Sequence, residues 1–437
     1  MSLLGSTDTV SSRARRRWSR PFQVFVWMMF DFANTSFSVI IVTVAYSLYF
    51  TTVVTGGSPG SDFLWGVAFS ISMLITASIS PILGAVADHS AGKKRFLLAF
   101  TLLCIASTSL LYFVTPGMVV AGMALLILGN IGFEAGLVFY DSFLPEITTP
   151  RSYGRVSGYG FAAGYLGSFA ILLLSYPFLK GEFAVANLPS VRFSFVLSAI
   201  FFFVFSAPLF LVLHDTKKSV LRTESYLRIG IKRVRETVSH LRRYRNVANF
   251  LASFFVYIDG VNTVIVFSSI FARRTLHFSL VEILMFFVTV QSTAILGSVL
   301  FGILADHYGQ KRTLTATLLL WIAVVTLAFF TEDKTTFYIV GFMAGAAIGS
   351  CQSTSRSLMS RIVPTAKRTE FFGYYSFFGK SSAILGPLVF GALSSLWNER
   401  VGVLSIGIFF IAGLLLLRRV KDEPYVEEAG AASSPGL

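Results

Sequence analysis

The sequence predicts an all-α integral membrane protein whose twelve transmembrane helices form two six-helix bundles. Three observations lead to this fold class: an apolar composition, a loop motif that occurs twice, and an unequal distribution of cations between alternate loops. Apolar residues make up 54% of the 437-residue chain and charged residues only 13%, and the mean hydropathy is +0.71. A soluble protein of this length needs a larger polar surface, so we expect a lipid bilayer to surround it.

Twelve apolar runs are long enough to cross a bilayer. About 20 apolar residues are needed, because a helix must span roughly 30 Å of hydrocarbon that offers no partner to backbone polar groups. The predicted spans are residues 22–50, 62–86, 96–115, 117–144, 156–179, 193–213, 247–271, 280–305, 313–331, 335–363, 371–396 and 401–417. They divide the chain into a basic N-terminus at 1–21, a first bundle at 22–213, a basic linker at 214–246, a second bundle at 247–420 and a disordered tail at 421–437.

The positions of Lys and Arg set the expected orientation. Of the 36 such residues, 28 fall before span 1, after span 12 or in the loops that follow even-numbered spans, counting Arg361 at the end of span 10 with its loop, and six fall in the alternate loops. Because short cytoplasmic loops retain cations, both termini are predicted to be cytoplasmic. The net charge of +14 then reflects orientation and attraction to anionic lipid, so nucleic acid is not an expected partner.

The repeated loop motif indicates that one half of the chain is a copy of the other. GAVADHSAGKKR begins at Gly84, and GILADHYGQKR begins 218 residues later, at Gly302. The motif resembles the loop between the second and third helices of major facilitator superfamily transporters. We expect each aspartate to accept hydrogen bonds from a helix N-terminus or to pair with loop cations, and so to hold one conformation of the two halves. The candidate gating residues are Gly84, Asp88, Gly92, Lys93, Lys94, Arg95, Gly302, Asp306, Gly309, Lys311 and Arg312.

Spans 1 and 7 share a D-x-x-N-T pattern. Asp31 and Asn34 in span 1 correspond to Asp259 and Asn262 in span 7. Spacings of three and four place these side chains on one helix face, and a carboxylate inside a membrane usually faces a cavity or a partner. The alternative is that these groups cap a helix start near the membrane interface.

Span 4 carries two further acids. Glu134 and Asp141 are seven residues apart on one helix face, with Asn130 one turn earlier. Because apolar surroundings disfavour the ionised form of a carboxylate, Glu134 is the candidate for exchanging a proton during transport. The alternative is a structural pair with a cation from another span.

Spans 10 and 11 bring cations into the membrane. Span 10 contains Gln352 and Arg356, and span 11 contains Lys380. Arg356 cannot lose its charge, so we expect it to meet an acid, a substrate carboxylate or a water-filled cavity. The candidate acids are Glu134, Asp31 and Asp259.

The linker between the bundles has the pattern of an amphipathic helix. It carries ten cations, and an apolar residue recurs at spacings of four and three, which places these residues on one face. The apolar residues are Leu227, Ile231, Val234, Val238 and Leu241. We expect this helix to lie on the cytoplasmic leaflet and to join the two halves; a site for a regulatory partner is the alternative.

Several functional classes have no support in the sequence. Cys104 and Cys351 fall in spans 3 and 10 and indicate neither a disulfide framework nor a metal site. The P-loop pattern G-x-x-x-x-G-K-[ST] is missing, and the spans contain no cluster of His, Asp, Ser or Cys that predicts an enzyme. We therefore expect no cofactor, no bound metal and no enzymatic activity.

Longer stretches narrow the resemblance. FDFANTSFSVII, FEAGLVFYDSFLPEI, SGYGFAAGYLGS, QSTSRSLMSRIVP and EFFGYYSFFGKSSAILGPLVFG resemble the vacuole-effluxer family, the autophagy-related vacuolar amino-acid exporters and their bacterial relatives. The similarity extends from about Phe25 to Leu417, although Asp141 stands where asparagine is common in the family. It implies two six-helix bundles with spans 1, 4, 7 and 10 around a central cavity, in the inner membrane if the protein is bacterial.

The resemblance and the polar residues together predict a secondary transporter that works by alternating access. The predicted substrate is a small polar solute, an amino acid or short peptide, with the proton as candidate coupling ion and the protein a monomer in the bilayer. We expect Arg356 to bind a substrate carboxylate, Asp31 or Asp259 an ammonium group, and Glu134 the proton. Alternatives are transport of a sugar, drug, organic anion or metal complex, or a receptor or scaffold that transports nothing.

Overall fold

The computed structural model describes residues 18–58, 60–90, 92–181, 183–214, 226–239, 241–382 and 385–425. Every regular element within these residues is a helix, which confirms the all-α class. Most of the predicted basic N-terminus, part of the linker and most of the predicted tail lie outside the described residues.

Six long helices make up the described part of the first half. They are α1 (Arg20–Val54), α2 (Ser61–Ser90), α3 (Lys93–Leu110), α4 (Val119–Ser142), α5 (Tyr153–Leu179) and α6 (Leu188–Val212). The first is α-helical over Arg20–Ser36 and then has wider π-helical segments at Phe37–Val44 and Phe50–Val54. At 35 residues it extends beyond the predicted span at both ends.

A linker helix and seven further helices follow. They are α7 (Tyr226–Ser239), α8 (Arg245–Arg274), α9 (Leu280–Tyr308), α10 (Gln310–Phe330), α11 (Lys334–Ile362), α12 (Arg368–Ser381), α13 (Leu385–Leu396) and α14 (Glu399–Leu417). A capping box between Ser279 and Glu282 fixes the start of α9. The Asp333 carboxylate accepts from the Thr336 backbone N–H and fixes the start of α11.

Ten helical stretches of the described chain are long and apolar enough to cross a membrane. Predicted spans 10 and 11 are not among these ten stretches, and the structure shows why. The helix α11 has 29 residues, but its second half is rich in serine and contains Arg356. The sequence predicts span 11 as one helix over 371–396, whereas the structure has two, α12 and α13, of 14 and 12 residues. Neither of these two helices alone has membrane-spanning length.

The buried apolar residues form two clusters, one for each half of the sequence. One cluster of buried apolar residues lies between Val26 and Leu213. The other extends from Tyr244 to Val420 and includes Val138 from α4. Each half therefore packs mainly around its own core.

The halves meet where α5 packs against α9 and where α2 packs against α12. Glycine makes both contacts close. A Cβ on Gly158 of α5 would collide with the Ser298 carbonyl, and one on Gly373 of α12 would collide with the Ser80 carbonyl. Both contacts lie toward the end of the molecule that carries the repeated motifs at 84–95 and 302–312, which we call the loop end.

The linker helix α7 lies across the contact between α2 and α12 at the loop end. Gly230 packs closely against Ile82 of α2. On the other side, the Thr237 hydroxyl donates to the buried Glu370 carboxylate, and Lys367 Nζ donates to the same hydroxyl at 2.5 Å. This helix was expected to lie on the cytoplasmic leaflet and to join the two halves. One of its faces contacts both halves, and its position on the leaflet stays a prediction.

The apolar face predicted for the linker is only partly buried. Val234 is partly buried, and its carbonyl accepts from the Tyr374 hydroxyl at 3.4 Å. Ile231 is half exposed, and its neighbours Arg228 and Lys232 are exposed. The side chains of Leu227, Val238 and Leu241 lie outside the described set.

Candidate functional site

The site is built around Arg356, which projects from α11 into the interface between the halves. Its side chain is 2% exposed, and Nη1 lies 3.0 Å from Asp141 Oδ1 on α4 and 3.3 Å from Asp31 Oδ2 on α1. Nε donates to the Ser157 hydroxyl at 3.0 Å, and Nη2 donates to the Ser157 carbonyl at 2.8 Å. A single residue of the second half thereby joins α1, α4 and α5 of the first.

Aromatic rings enclose this cluster. The guanidinium carbon lies 4.0 Å from the ring centre of Phe161 and 4.8 Å from that of Trp27. Trp27 stacks on Tyr140 with 4.6 Å between ring centres, and its indole N–H donates to the Tyr140 carbonyl at 3.1 Å. Ring faces attract a cation, and a low local dielectric strengthens ion pairs while making an unpaired charge costly.

The cluster holds two carboxylates and one cation. With both acids ionised, Asp31, Asp141 and Arg356 carry a net charge of about −1. Four guanidinium hydrogen bonds already go to the two aspartates and Ser157, out of five N–H groups available in an arginine. Arg356 therefore has little capacity for a substrate carboxylate in this conformation, which differs from the role expected for it. In this structure it pairs with both aspartates, of which Asp31 was one of its expected partners and Asp141 was not.

A polar cavity of about 290 Å³ lies beside this cluster. Asp31, Asp141 and Arg356 line it together with the side-chain amides of Asn34, Gln291 and Gln352, among other residues. Asn34 Nδ2 donates to Asp31 Oδ1 at 3.4 Å, so the two predicted residues of α1 act together. The cavity offers carboxylate acceptors and amide donors in one place.

A second cavity, of about 230 Å³ and mostly apolar, adjoins the first. Gln291, Gln352 and Tyr165 line both, and the Tyr165 hydroxyl donates to Gln352 Oε1 at 2.7 Å across the interface between the halves. The rest of the second cavity is largely aliphatic and aromatic. Its lining includes Val264, Phe271, Phe286, Val290, Val324, Phe337, Ile348, Phe390 and Ile406.

Glu134 and Lys380 form a separate pair between the halves. Lys380 Nζ lies 2.9 Å from Glu134 Oε2, and it also donates to the Ser376 hydroxyl at 2.5 Å. Neither Glu134 nor Lys380 is among the residues that line the polar cavity. The structural pairing considered for Glu134 is thus present, and its exchange of a proton stays a prediction.

Three other residues expected along the pathway lie away from the two cavities. Asn130 Nδ2 donates to the Ser72 hydroxyl of α2 at 2.7 Å. Asp259 Oδ2 accepts from the Gly386 backbone N–H at 2.8 Å, so this acid faces α13. Asn262 is partly buried and lines neither cavity. The D-x-x-N-T repeat of the sequence therefore serves different contacts in the two halves.

The two loop aspartates bind helix N-termini of the opposite half. Asp306 Oδ1 accepts from the Gly154 N–H at 2.7 Å, and Oδ2 accepts from the Arg155 N–H at 3.1 Å, at the start of α5. Asp88 Oδ2 accepts from the Glu370 N–H at 2.9 Å, at the start of α12. Negative charge at a helix N-terminus is favourable. We call these two interactions the latch contacts; they hold the halves together at the loop end.

The other predicted gating residues have more local roles. Gly84 and Gly302 pack against the backbone of the opposite half, Lys93 pairs with Glu146 at 2.5 Å, and Lys311 Nζ donates to the Arg418 carbonyl at 3.0 Å. Gly309 has a φ of 95°, a conformation that favours glycine. The remaining members of this set are Gly92, which precedes α3, partly buried Lys94, and exposed Arg95 and Arg312.

Sequence reasoning missed several residues of the site. Ser157, Phe161 and Gln291 belong to α5 and α9, which were not expected to contribute to the cavity. Trp27 lies one turn before Asp31 on the same face of α1, so its spacing was the available signal. Ser157 has no comparable signal, because its function depends on how α5 meets α11.

Known proteins resemble this chain over most of its length. The sequence model of the family described as "Vacuole effluxer Atg22 like" matches residues 64–430. The chain is 30% identical over 409 residues to YxiO, an uncharacterized MFS-type transporter of Bacillus subtilis (strain 168), with 91% of this chain and 94% of the relative covered. It is 22% identical over 437 residues to autophagy-related protein 22-1 of Penicillium rubens, with 80% and 72% covered.

Solved transporter structures share the fold. The proton:xylose symporter XylE, bound to 6-bromo-6-deoxy-D-glucose, superposes with a TM-score of 0.73 at 17% identity, covering 93% of this chain and 97% of that chain. The E. coli fucose:proton symporter FucP gives 0.71 at 13% identity, covering 91% and 97%. At these identities the likeness shows the fold alone, and it confirms the predicted major facilitator fold.

Proposed function

The chain belongs to the Atg22-like vacuole effluxer family and is a transporter of the major facilitator type, and from this premise we propose that it is a secondary active transporter of amino acids with apolar side chains. The observation that carries the proposal is the polar cavity with its net negative cluster of Asp31, Asp141 and Arg356, next to an apolar cavity. An amino acid with an apolar side chain matches this pair of cavities, because its charged groups lie at one end and its apolar side chain at the other.

In the proposed binding mode the ammonium group of the substrate lies against Asp31 and Asp141. Their single cation leaves excess negative charge that a second cation would neutralise. The substrate carboxylate is assigned to the amide donors of Asn34, Gln291 and Gln352, because Arg356 is already occupied. Asp31 keeps the ammonium-binding role first expected for it, whereas the substrate carboxylate is assigned to the amides instead of Arg356, and the arginine holds the aspartates in place.

The second cavity is proposed to receive the side chain of the substrate. Its lining is mainly aliphatic and aromatic, so a large apolar side chain gains by leaving water. A polar cavity of about 290 Å³ is at the lower end of small-molecule sites, which favours single amino acids over longer peptides.

Alternating access is the proposed transport mechanism. The latch contacts and the glycine contacts of α5 and α12 close the loop end, and the distribution of cations assigns that end to the cytoplasm. Opening to the cytoplasm then requires these contacts to separate while the halves rock about the cavity. Without a P-loop in the sequence, an ion gradient is the proposed energy source, and the proton is the proposed ion.

Counterflow into proteoliposomes tests the substrate. Vesicles preloaded with unlabelled leucine, phenylalanine, lysine, glutamate, a dipeptide, xylose or citrate would be tested for uptake of the same labelled compound at two pH values. We expect uptake of leucine and phenylalanine, and its loss in Asp31→Asn and Asp141→Asn proteins. Uptake of only sugar or citrate, or no uptake of any compound by folded protein, would overturn the proposal.

A further inference from the structure

Asp259 is a buried carboxylate that shows no counter-ion among the described residues. It lies in the middle of α8 and is 1% exposed. Oδ2 accepts from the Gly386 N–H at the start of α13, whereas Oδ1 is buried without a hydrogen-bond partner in the described part of the chain. An ionised carboxylate with an unsatisfied oxygen is costly inside a membrane. Capping α13 accounts for only one of its two oxygens.

The helices that pack on α8 bring no cation to Asp259. Within the described residues, α13 has no titratable side chain, and the charged residues of α14 are Glu399 and Arg400 at its first two positions. On α9 the charged groups lie toward the two ends of the helix, with Glu282 bound to Lys334 and Asp306 in a latch contact.

The remaining neighbours, α11 and α12, carry five cations, of which Lys334, Arg361 and Arg368 lie at the first or last two positions of a helix. The other two are used elsewhere. Arg356 of α11 binds the two aspartates of the first half, and Lys380 of α12 binds Glu134. The other titratable groups that these helices bring into the same core are the thiol of Cys351 and the phenols of Tyr374 and Tyr375, together with Glu370 at the loop end. None of these supplies positive charge.

Asp259 therefore differs from the other three acids predicted along the transport pathway. Asp31 and Asp141 share Arg356, and Glu134 has Lys380. An ion pair favours the ionised form of its acid, whereas burial without a nearby cation favours the protonated form.

We propose that Asp259, and not Glu134, is the residue that binds and releases the coupling proton. The inference rests on the proposed proton-coupled transport. The helices α13 and α8 approach each other closely at this site, since a Cβ on Gly386 would collide with the Thr263 hydroxyl and with Asp259 Oδ1. A proton from water on the open side binds the carboxylate, and the same proton is released to water on the other side.

Span 11 connects this proton site to the contact between the halves. Protonation removes negative charge from the N-terminus of α13, where an anion is favourable, and so weakens the cap. Lys380 lies six residues before Gly386 in the same predicted span and carries the ion pair with Glu134. The proposed proton site and this ion pair, which is a contact between the halves, therefore lie close together along the chain.

The substitution Asp259→Asn separates capping of α13 from proton binding. Asparagine caps a helix about as well as aspartate but does not bind a proton. Asp333→Asn is the matched control, since Asp333 also caps a helix but is exposed, and hydrogen bonds from Thr336 lower the pKa of its carboxyl group. If Asp259→Asn protein is not recovered folded, Asp259→Ser supplies a second capping residue without a carboxyl group.

Infrared difference spectra between acid and neutral pH, recorded on the protein in lipid, test the site without any substrate. We expect a band from a protonated carboxyl group that is lost in Asp259→Asn and retained in Asp333→Asn. An unchanged band in Asp259→Asn would overturn the proposal. This holds even if the protein transports none of the tested compounds, so failure of the site and failure of the proposed function are distinguishable.

Accumulation of labelled leucine driven by a pH gradient tests the coupling. We expect Asp259→Asn to lower accumulation by about tenfold or more and to make leucine exchange independent of pH, while Asp333→Asn behaves as wild type. Wild-type accumulation by Asp259→Asn, or loss of accumulation in Glu134→Gln with Asp259→Asn unaffected, would contradict the assignment.

Discussion

Glu134 of α4 and Lys380 of α12 form an ion pair with 2.9 Å between Oε2 and Nζ, and this pair joins the two halves of the protein within their predicted spans. Arg356 makes the second such connection through Asp31 and Asp141. In both cases a cation of the second half binds an acid of the first. The halves are therefore held by charge near the cavity and by helix capping at the loop end.

Exchanging the charges of Glu134 and Lys380 tests whether the pair itself matters. Each single neutralisation, Glu134→Gln or Lys380→Gln, leaves one partly buried charge unpaired and is expected to cost about 1–3 kcal/mol of stability, less than in a fully buried pair. The double variant Glu134→Lys with Lys380→Glu restores an ion pair and should recover most of the loss. Thermal unfolding in detergent and leucine counterflow provide the measurements. Equal defects in the single and exchanged variants would show that the pair is not the cause.

Removing the charge of Arg356 should destabilise the protein as well as stop transport. In Arg356→Gln both aspartates lose their counter-ion, with an expected cost of about 3–5 kcal/mol. Adding Asp141→Asn to this variant removes one of the two uncompensated charges and should restore part of the stability without restoring transport. Arg356→Lys keeps the charge but cannot reproduce the contacts to Ser157, so we expect intermediate stability. Normal counterflow in Arg356→Gln would rule out a role in the site.

Weakening the latch contacts should open the loop end. Asp88→Asn and Asp306→Asn retain an oxygen acceptor but lose the charge at the helix N-termini, which is expected to cost about 1 kcal/mol per contact, roughly a fivefold change in the ratio of two conformations. Spin labels on Arg95→Cys and Arg312→Cys, both exposed positions, report the separation of the two loops. The longer-distance population should grow in the variants and remain at the wild-type level in Asp333→Asn.

The linker helix should favour the same closed conformation. Thr237→Val removes the hydroxyl that donates to buried Glu370 and accepts from Lys367, with an expected cost of about 1–3 kcal/mol. The spin-label distance should then shift in the same direction as in the latch variants, and α7 should become more sensitive to limited proteolysis. Thr237→Ser keeps the hydroxyl and serves as control. Identical behaviour of the valine and serine variants would exclude a role for this hydrogen bond.

The sequence predicted much of the fold because its signals are local. Apolar run length and the repeated glycine and aspartate motif are properties of continuous stretches, and both carry over to the observed helices and loops. Span 11 was the exception. Its apolar pattern does not reveal that the chain forms separate helices α12 and α13. The Gly386 N–H near the start of α13 donates to Asp259, and this acceptor belongs to α8, which is distant in the sequence.

What the sequence by itself determined was the bilayer as solvent, the two-fold repeat, and the presence of Asp31, Glu134, Asp141, Asp259 and Arg356 among apolar residues. What only the tertiary structure decided was which charges meet. A buried charge is governed by partners a few ångströms away on other helices, because its electrostatic energy depends on distance and local dielectric and not on position along the chain. In the packed structure Arg356 pairs with two aspartates and Lys380 pairs with Glu134. The described hydrogen-bond partner of the Asp259 carboxylate is a backbone N–H.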